Sequence, residues 1–130
     1  MKNVFYGGAM KIDTVLNRDE LLDRVGGDIK FLEELIDIFV ECYPRLLQKI
    51  DRAIQIKDSE ALENAAHELK GVVGNFCAPG AVIAAHNMQI HGKNADFAAS
   101  PADYIKLVNI LGMVELALKN LVEEHTPPNS

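Results

Sequence analysis

In the stretch AHELKGVVGNF, Ala66 to Phe76, and the residues leading into it, the apolar positions are Leu62, Ala65, Ala66, Leu69, Val72, Val73 and Phe76. They recur at the spacing of one buried stripe on a helix. At about 100° per residue, His67 falls opposite the centre of that stripe, so its imidazole is expected to point at water. Gly71 and Gly74, one and two turns further on, share the outer face with His67, and the surface beside the ring is bare backbone. A glycine inside a helix costs about 1 kcal/mol relative to alanine. The cost is understandable if something must approach the histidine closely.

Upstream, Asn17 with Glu20 three residues later has the pattern of a capping box opening the short helix RDELLDRV, which Gly26-Gly27 closes. Asp28 can cap the next helix, whose apolar residues run from Ile29 through Leu32, Ile36 and Phe39 to Ile50 and Ile54. Pro44 lies inside that pattern. One long helix kinked at Pro44, or two shorter helices meeting there, would satisfy it, and the immediate return of the apolar spacing favours the kink. Asp58 or Ser59 can cap the His67 helix, and the run CAPGA, with Pro79-Gly80, breaks it.

A further helix is expected from about Ala81 to Lys93, followed by a polar linker, NADFAASPAD. Ser100 and Pro101 start a last helix with Tyr104, Ile105, Val108, Leu111, Val114, Leu118, Leu121 and Val122 on its apolar side. No stretch reads as a strand. The fold expected is all-α: an antiparallel four-helix bundle with a short additional N-terminal helix lying as a lid on one end. The divisions are an N-terminal extension over 1–13, the bundle over 14–124 and a mobile tail over 125–130.

The length of 130 residues fits one domain with a real core, and 48% apolar with 25% charged residues fits a soluble globular protein. A formal net charge of −6 and the lack of a conspicuous Lys/Arg cluster in the sequence argue against nucleic acid and membrane surfaces as partners. Neither a membrane span nor a signal peptide is evident, so a cytoplasmic location is expected. Cys42 and Cys77 lie far apart without metal-ligand spacing and read as small buried hydrophobes.

His67-Glu68-Leu69-Lys70-Gly71, with Gly74 and the small-residue turn after it, resembles the phosphorylation motif of histidine-containing phosphotransfer (HPt) domains. The upstream run LLDRVGGDIKFLEELIDIFVECYPRLL resembles the early segment of that family, and together the likeness spans roughly Leu16 to Leu121. It implies a helical bundle that accepts a phosphoryl group from a receiver-domain aspartate or a sensor kinase and passes it to a response-regulator receiver. Partners would be such receivers or a hybrid sensor histidine kinase, with the chain a monomer and no cofactor of its own. The chain has Cys77-Ala78 where the family usually has Gly-Ala, and AAHNMQIHGK where the next helix is usually acidic. By the resemblance, His86 and Gln89 are candidates to hydrogen-bond the His67 ring.

The residue types suit that chemistry. A neutral imidazole carries a free lone pair near pH 7, because its unperturbed pKa is about 6.5. A partner on Nδ1 would fix the tautomer that leaves Nε2 free to attack. Lys70, one turn after His67, can reach the transferred oxygens with a mobile charge. No phosphate-binding loop, kinase-type glycine-rich strand or carboxylate cluster for magnesium is visible, so neither ATP binding nor autokinase activity is expected.

Blander readings compete at each position. His67 could be an ordinary solvated residue, Lys70 a surface lysine, Gly71 and Gly74 packing glycines, and His86 a structural histidine. His91 and His125 read as surface or helix C-terminal residues that complement the helix dipole. Two other classes are a non-catalytic adaptor that binds receivers and a bundle binding metal through His67, His86 and His91. The five-residue gap between His86 and His91 is poor ligand spacing on a helix.

Overall fold

Asn17 accepts a hydrogen bond from the backbone N–H of Glu20 at 3.1 Å and opens α1 (Arg18–Arg24). The reciprocal half of the expected capping box does not form: the backbone N–H of Asn17 donates instead to the carbonyl of Cys77 at 2.8 Å. Gly26 and Gly27, at φ 65° and 74°, turn the chain after α1. Asp28 then caps α2 (Ile29–Ile56) and Asp58 caps α3 (Ser59–Val73), each accepting the backbone N–H three residues ahead at 3.0 Å. A single 3₁₀ turn, Gly74–Phe76, ends α3; α4 (Pro79–Lys93) and α5 (Ser100–Glu124) follow.

Of the two arrangements open at Pro44, a single 28-residue helix is the one found. α4 begins slightly earlier than expected, because Pro79 occupies its first position, where a missing N–H costs nothing.

The computed structural model describes residues 15–126 and the backbone of two short strands, β1 (Phe5–Tyr6) and β2 (Met10–Lys11). The strands pair antiparallel with Phe5 opposite Lys11, so the expectation of no strand is corrected for this small hairpin in the extension. The rest of the 1–13 extension and residues 127–130 of the expected tail lie outside the described residues.

The fold is all-α apart from that hairpin. α2 through α5 form a closed ring in which α3 packs on α2 and α4, and α5 on α4 and α2. Cross-links show the antiparallel order: His67 meets Gln89 while Lys70 meets His86, and Tyr43 meets Glu115 while Tyr104 donates to the carbonyl of Leu47. α1 lies across one end, tied by Arg24 to Gly74 and by Arg18 to Glu124.

The core is lined by Leu32, Phe39 and Ile50 of α2, Leu62, Leu69 and Val73 of α3, Met88 of α4, and Leu107, Leu111, Val114, Leu118 and Leu121 of α5. The expected apolar side of α5 needs correction. Ile105 and Val108 are 62% and 38% exposed, while Leu107 is fully buried. Leu107, Leu111, Val114, Leu118 and Leu121 repeat at alternating four and three residues and form the stripe that docks; Ile105 and Val108 lie on a neighbouring face.

Cys77 departs from the family pattern yet keeps the turn, adopting the left-handed conformation at φ 53° and ψ 46°. That region is uncommon for a residue other than glycine. Its thiol is buried and raised above its usual pKa by burial, and both Cys77 and Cys42 are free, with Cys42 only half-buried.

Candidate functional site

His67 projects to solvent from the outer face of α3, in the position its helical spacing predicts. The side-chain amide nitrogen of Gln89, on α4, lies 3.3 Å from its Nδ1. In this orientation Gln89 donates to Nδ1, which places the ring proton on Nε2, while the buried Oε1 of Gln89 has no hydrogen-bond partner. Amide oxygen and nitrogen occupy equivalent positions in shape. Half a turn of the amide brings Oε1 to the ring, where it accepts from Nδ1–H and leaves the Nε2 lone pair free, with the amide nitrogen taking the interior position. The two amide orientations therefore correspond to the two tautomers of His67.

His86 does not meet His67. Its Nδ1 lies 3.3 Å from Nζ of Lys70, within hydrogen-bond reach of the ammonium as donor. Of the two candidates for the ring partner, the geometry thus places Gln89 on His67 and His86 on Lys70. Lys70 is held half-buried between the helices, within one turn of the His67 ring.

Gly71 and Gly74 are exposed, and a Cβ added at either would have nothing within 4 Å. They are not packing glycines. Gly92 is: a Cβ there would lie 2.5 Å from the backbone nitrogen of Glu63. Glu63 precedes His67 by one turn and Gly92 follows Gln89 by about one turn, so the close approach of α3 and α4 occurs beside the site and brings the Gln89 amide within reach of the ring.

Arg24 was not singled out by the sequence. Its Nη1 donates to the carbonyl of Gly74 at 3.0 Å, fastening α1 to the end of the motif helix, while Nη2 is 3.4 Å from Glu20. No local pattern signals this, because the residues are 50 positions apart.

His91 stands in the last turn of α4, the helix C-terminal one of the two positions expected for it, and it has carboxylate partners as well. Its Nε2 lies 2.6 Å from Asp103 and its Nδ1 3.7 Å from Asp96, so it joins the end of α4 to the start of α5. The hydrogen bond from His91 holds the Asp103 carboxyl below its ordinary pKa, with Lys106 adding to the effect. His125 behaves as expected, with Nδ1 3.0 Å from the carbonyl of Leu121 at the end of α5.

The carboxylates of the long helices are not all solvated. Glu115 accepts a hydrogen bond from the part-buried hydroxyl of Tyr43, and burial together with that carboxylate raises the tyrosine pKa. Among the described residues, no three His, Cys, Asp or Glu side chains converge on a point that could hold a metal ion. His67, His86 and His91 each face a different partner.

The family model of the Hpt domain matches residues 34–124, and the chain belongs to that family. Hpt domains carry phosphoryl groups on a histidine in two-component phosphorelays, exchanging them with receiver domains and histidine kinases, and histidine phosphotransfer is the function of this chain. Among solved structures, histidine-containing phosphotransfer protein B (HptB) of Pseudomonas aeruginosa PAO1 superposes with a TM-score of 0.76 at 20% identity, covering 85% of this chain and 96% of that one. The HPT domain of an Hpt sensor hybrid histidine kinase from Shewanella gives a TM-score of 0.68 at 18% identity, covering 88% of this chain and 97% of the other. At these identities the likeness is one of fold. No curated protein matches the sequence.

Proposed function

We propose that His67 is the phosphoacceptor, that Gln89 sets its tautomer and that Lys70 neutralises charge on the transferred group. The observation that carries this reading is the Gln89 amide 3.3 Å from Nδ1 of an otherwise exposed ring. With Oε1 of Gln89 accepting from Nδ1–H, the Nε2 lone pair attacks the phosphorus of a receiver's aspartyl phosphate. The N–P bond forms as the P–O bond breaks, and the aspartate leaves as a carboxylate with the electron pair of that bond. The proton on Nδ1 is not displaced. Running the same step backwards delivers the group to the next receiver.

Lys70 follows the phosphoryl oxygens by releasing His86, since a hydrogen bond from a lysine to an exposed ring nitrogen is worth no more than about 1.5–3 kcal/mol, less than a phosphoryl dianion offers the same ammonium. His86 supports Lys70 rather than His67. Gly71 and Gly74 admit the receiver's surface to the ring, and the receiver supplies the metal and the aspartate.

The chain works as a monomer in the cytoplasm, without nucleic-acid or membrane partners and without a cofactor of its own. Among the described residues no helix is long and apolar enough to cross a membrane. Incubation with a phosphorylated receiver tests the reading: the chain should acquire an acid-labile, alkali-stable label, and His67→Gln should abolish it without loss of helical content. Undiminished labelling of that variant would remove His67 from the mechanism.

A further inference from the structure

The core residues of α2 occupy one side of the helix, and Glu34, Ile38, Glu41, Arg45, Gln48 and Arg52 occupy the side turned away from it. Their alternating steps of four and three residues are those of a seam along which two helices can pack. All six are exposed, Ile38 by 65%, and none of the charged ones forms an ion pair among the described residues. The seam is acidic before Tyr43 and basic after it. Compensation of the helix dipole does not account for that order, because the effect is confined to the first and last turns, and Glu41 and Arg45 stand in the middle of a 28-residue helix.

Reversed end for end, the seam presents each charge to its opposite. In two antiparallel copies of α2 related by a two-fold axis at the level of Tyr43, residues equally far from Tyr43 come level: Glu34 with Arg52, Ile38 with Gln48, and Glu41 with Arg45. A parallel pair in register would set each charge against its own kind.

We propose that α2 pairs antiparallel with α2 of a second copy of this chain, with Glu34 of each copy against Arg52 of the other and Glu41 against Arg45. A partner that fits must carry the same order of charges in reverse, and a second copy meets that condition by symmetry. The seam points away from the core on α2, whereas His67 is turned toward Gln89 on α4, so each chain keeps its own ring, amide and lysine. The unit that exchanges phosphoryl groups is still the single chain. Exposed ion pairs contribute little individually, Ile38 is the one apolar residue of the six, and the net charge of −6 on each copy opposes association. The pair is therefore weak and forms at high concentration.

Sedimentation equilibrium of the full chain at up to about 1 mM reads the pairing, in about 0.1 M salt so that the net charges of the two bodies are screened beyond about 10 Å. It compares the unaltered chain with Arg45→Glu/Arg52→Glu, whose seam is acidic throughout, and Glu34→Arg/Glu41→Arg, whose seam is basic throughout. Circular dichroism should show that both variants keep their helix content. The unaltered chain should pass from monomer to dimer as concentration rises, and each variant alone should dissociate with a Kd raised at least about 10-fold. An equal mixture of the two variants should form a heterodimer at least as tight as the unaltered pair. The basic variant carries a smaller net negative charge, so repulsion between whole molecules alone would make it pair more strongly, whereas the seam makes it pair more weakly. An unaltered chain that stays monomeric throughout would overturn the proposal, as would self-association that neither variant weakens, stronger pairing of the basic variant alone, or a mixture of the two variants that stays monomeric.

Discussion

The side-chain amide of Gln89 lies 3.3 Å from Nδ1 of His67, although the two residues are 22 positions apart and on different helices. That contact engages Nδ1, while Nε2 of the exposed ring has no hydrogen-bond partner among the described residues. It divides the roles of the polar residues on α4, because His86, one turn away, faces Lys70 instead.

Replacing Gln89 by Ala should therefore change the tautomer balance of His67, read from its ring nitrogen shifts by NMR. A hydrogen bond worth about 1 kcal/mol corresponds to a slowing of transfer by roughly 5-fold. His86→Ala should leave the His67 ring shifts as they are. A change in the ring with His86→Ala and none with Gln89→Ala would reverse the assignment.

Lys70→Ala should lower the transfer rate by about 10- to 100-fold without abolishing it, since the nucleophile and the receiver's own metal remain. Rapid-quench measurement with a saturating receiver separates this effect from docking. Complete loss of transfer in a folded Lys70→Ala protein would mean that the lysine does more than neutralise charge.

The glycines should divide into two kinds. Gly71→Gln meets open space, so circular dichroism should show helix content kept or slightly raised, while transfer slows because bulk now stands where the receiver approaches. Gly92→Ala would put a methyl group 2.5 Å from the Glu63 backbone, and thermal or denaturant unfolding should show a loss of about 1–3 kcal/mol. Equal stability of the Gly92→Ala protein would contradict the close approach of α3 and α4.

The Asp103 carboxyl, held below its ordinary value chiefly by the hydrogen bond from His91, makes a signed pH prediction. A carboxyl with a lowered folded pKa contributes stability that is present above its unfolded value, 3.8, and is lost as pH falls through the folded one. Asp103→Asn should cost about 1–2 kcal/mol at neutral pH, with the difference from the unaltered chain shrinking in acid below that value. A difference that stays constant from pH 7 to pH 2 would show that the hydrogen bond with His91 is not its source.

What was legible in the sequence was what a single helix determines. The outward position of His67, the open glycines beside it and the helix caps at Asp28 and Asp58 follow from local spacing and local hydrogen bonding, and they appear where the spacing puts them. The helical face of α4 placed Gln89 and His86 toward α3 but did not say which would reach the ring; the long Lys70 side chain occupies His86. Arg24 on Gly74, His91 on Asp103 and Gly92 against Glu63 depend on which helices are neighbours and at what level they meet, which periodicity does not encode. On α5 two apolar stripes overlap, and only docking against α2 and α4 selects Leu107 over Ile105 and Val108.

The central claim, that the phosphoryl group resides on Nε2 of His67 because Gln89 occupies Nδ1, is tested most directly by ring nitrogen and phosphorus NMR of the chain phosphorylated by a receiver. The expected result is a single phosphohistidine at His67, with phosphorus coupled to Nε2 and the proton retained at Nδ1. Phosphorus coupled to Nδ1, or to a residue other than His67, would contradict the account.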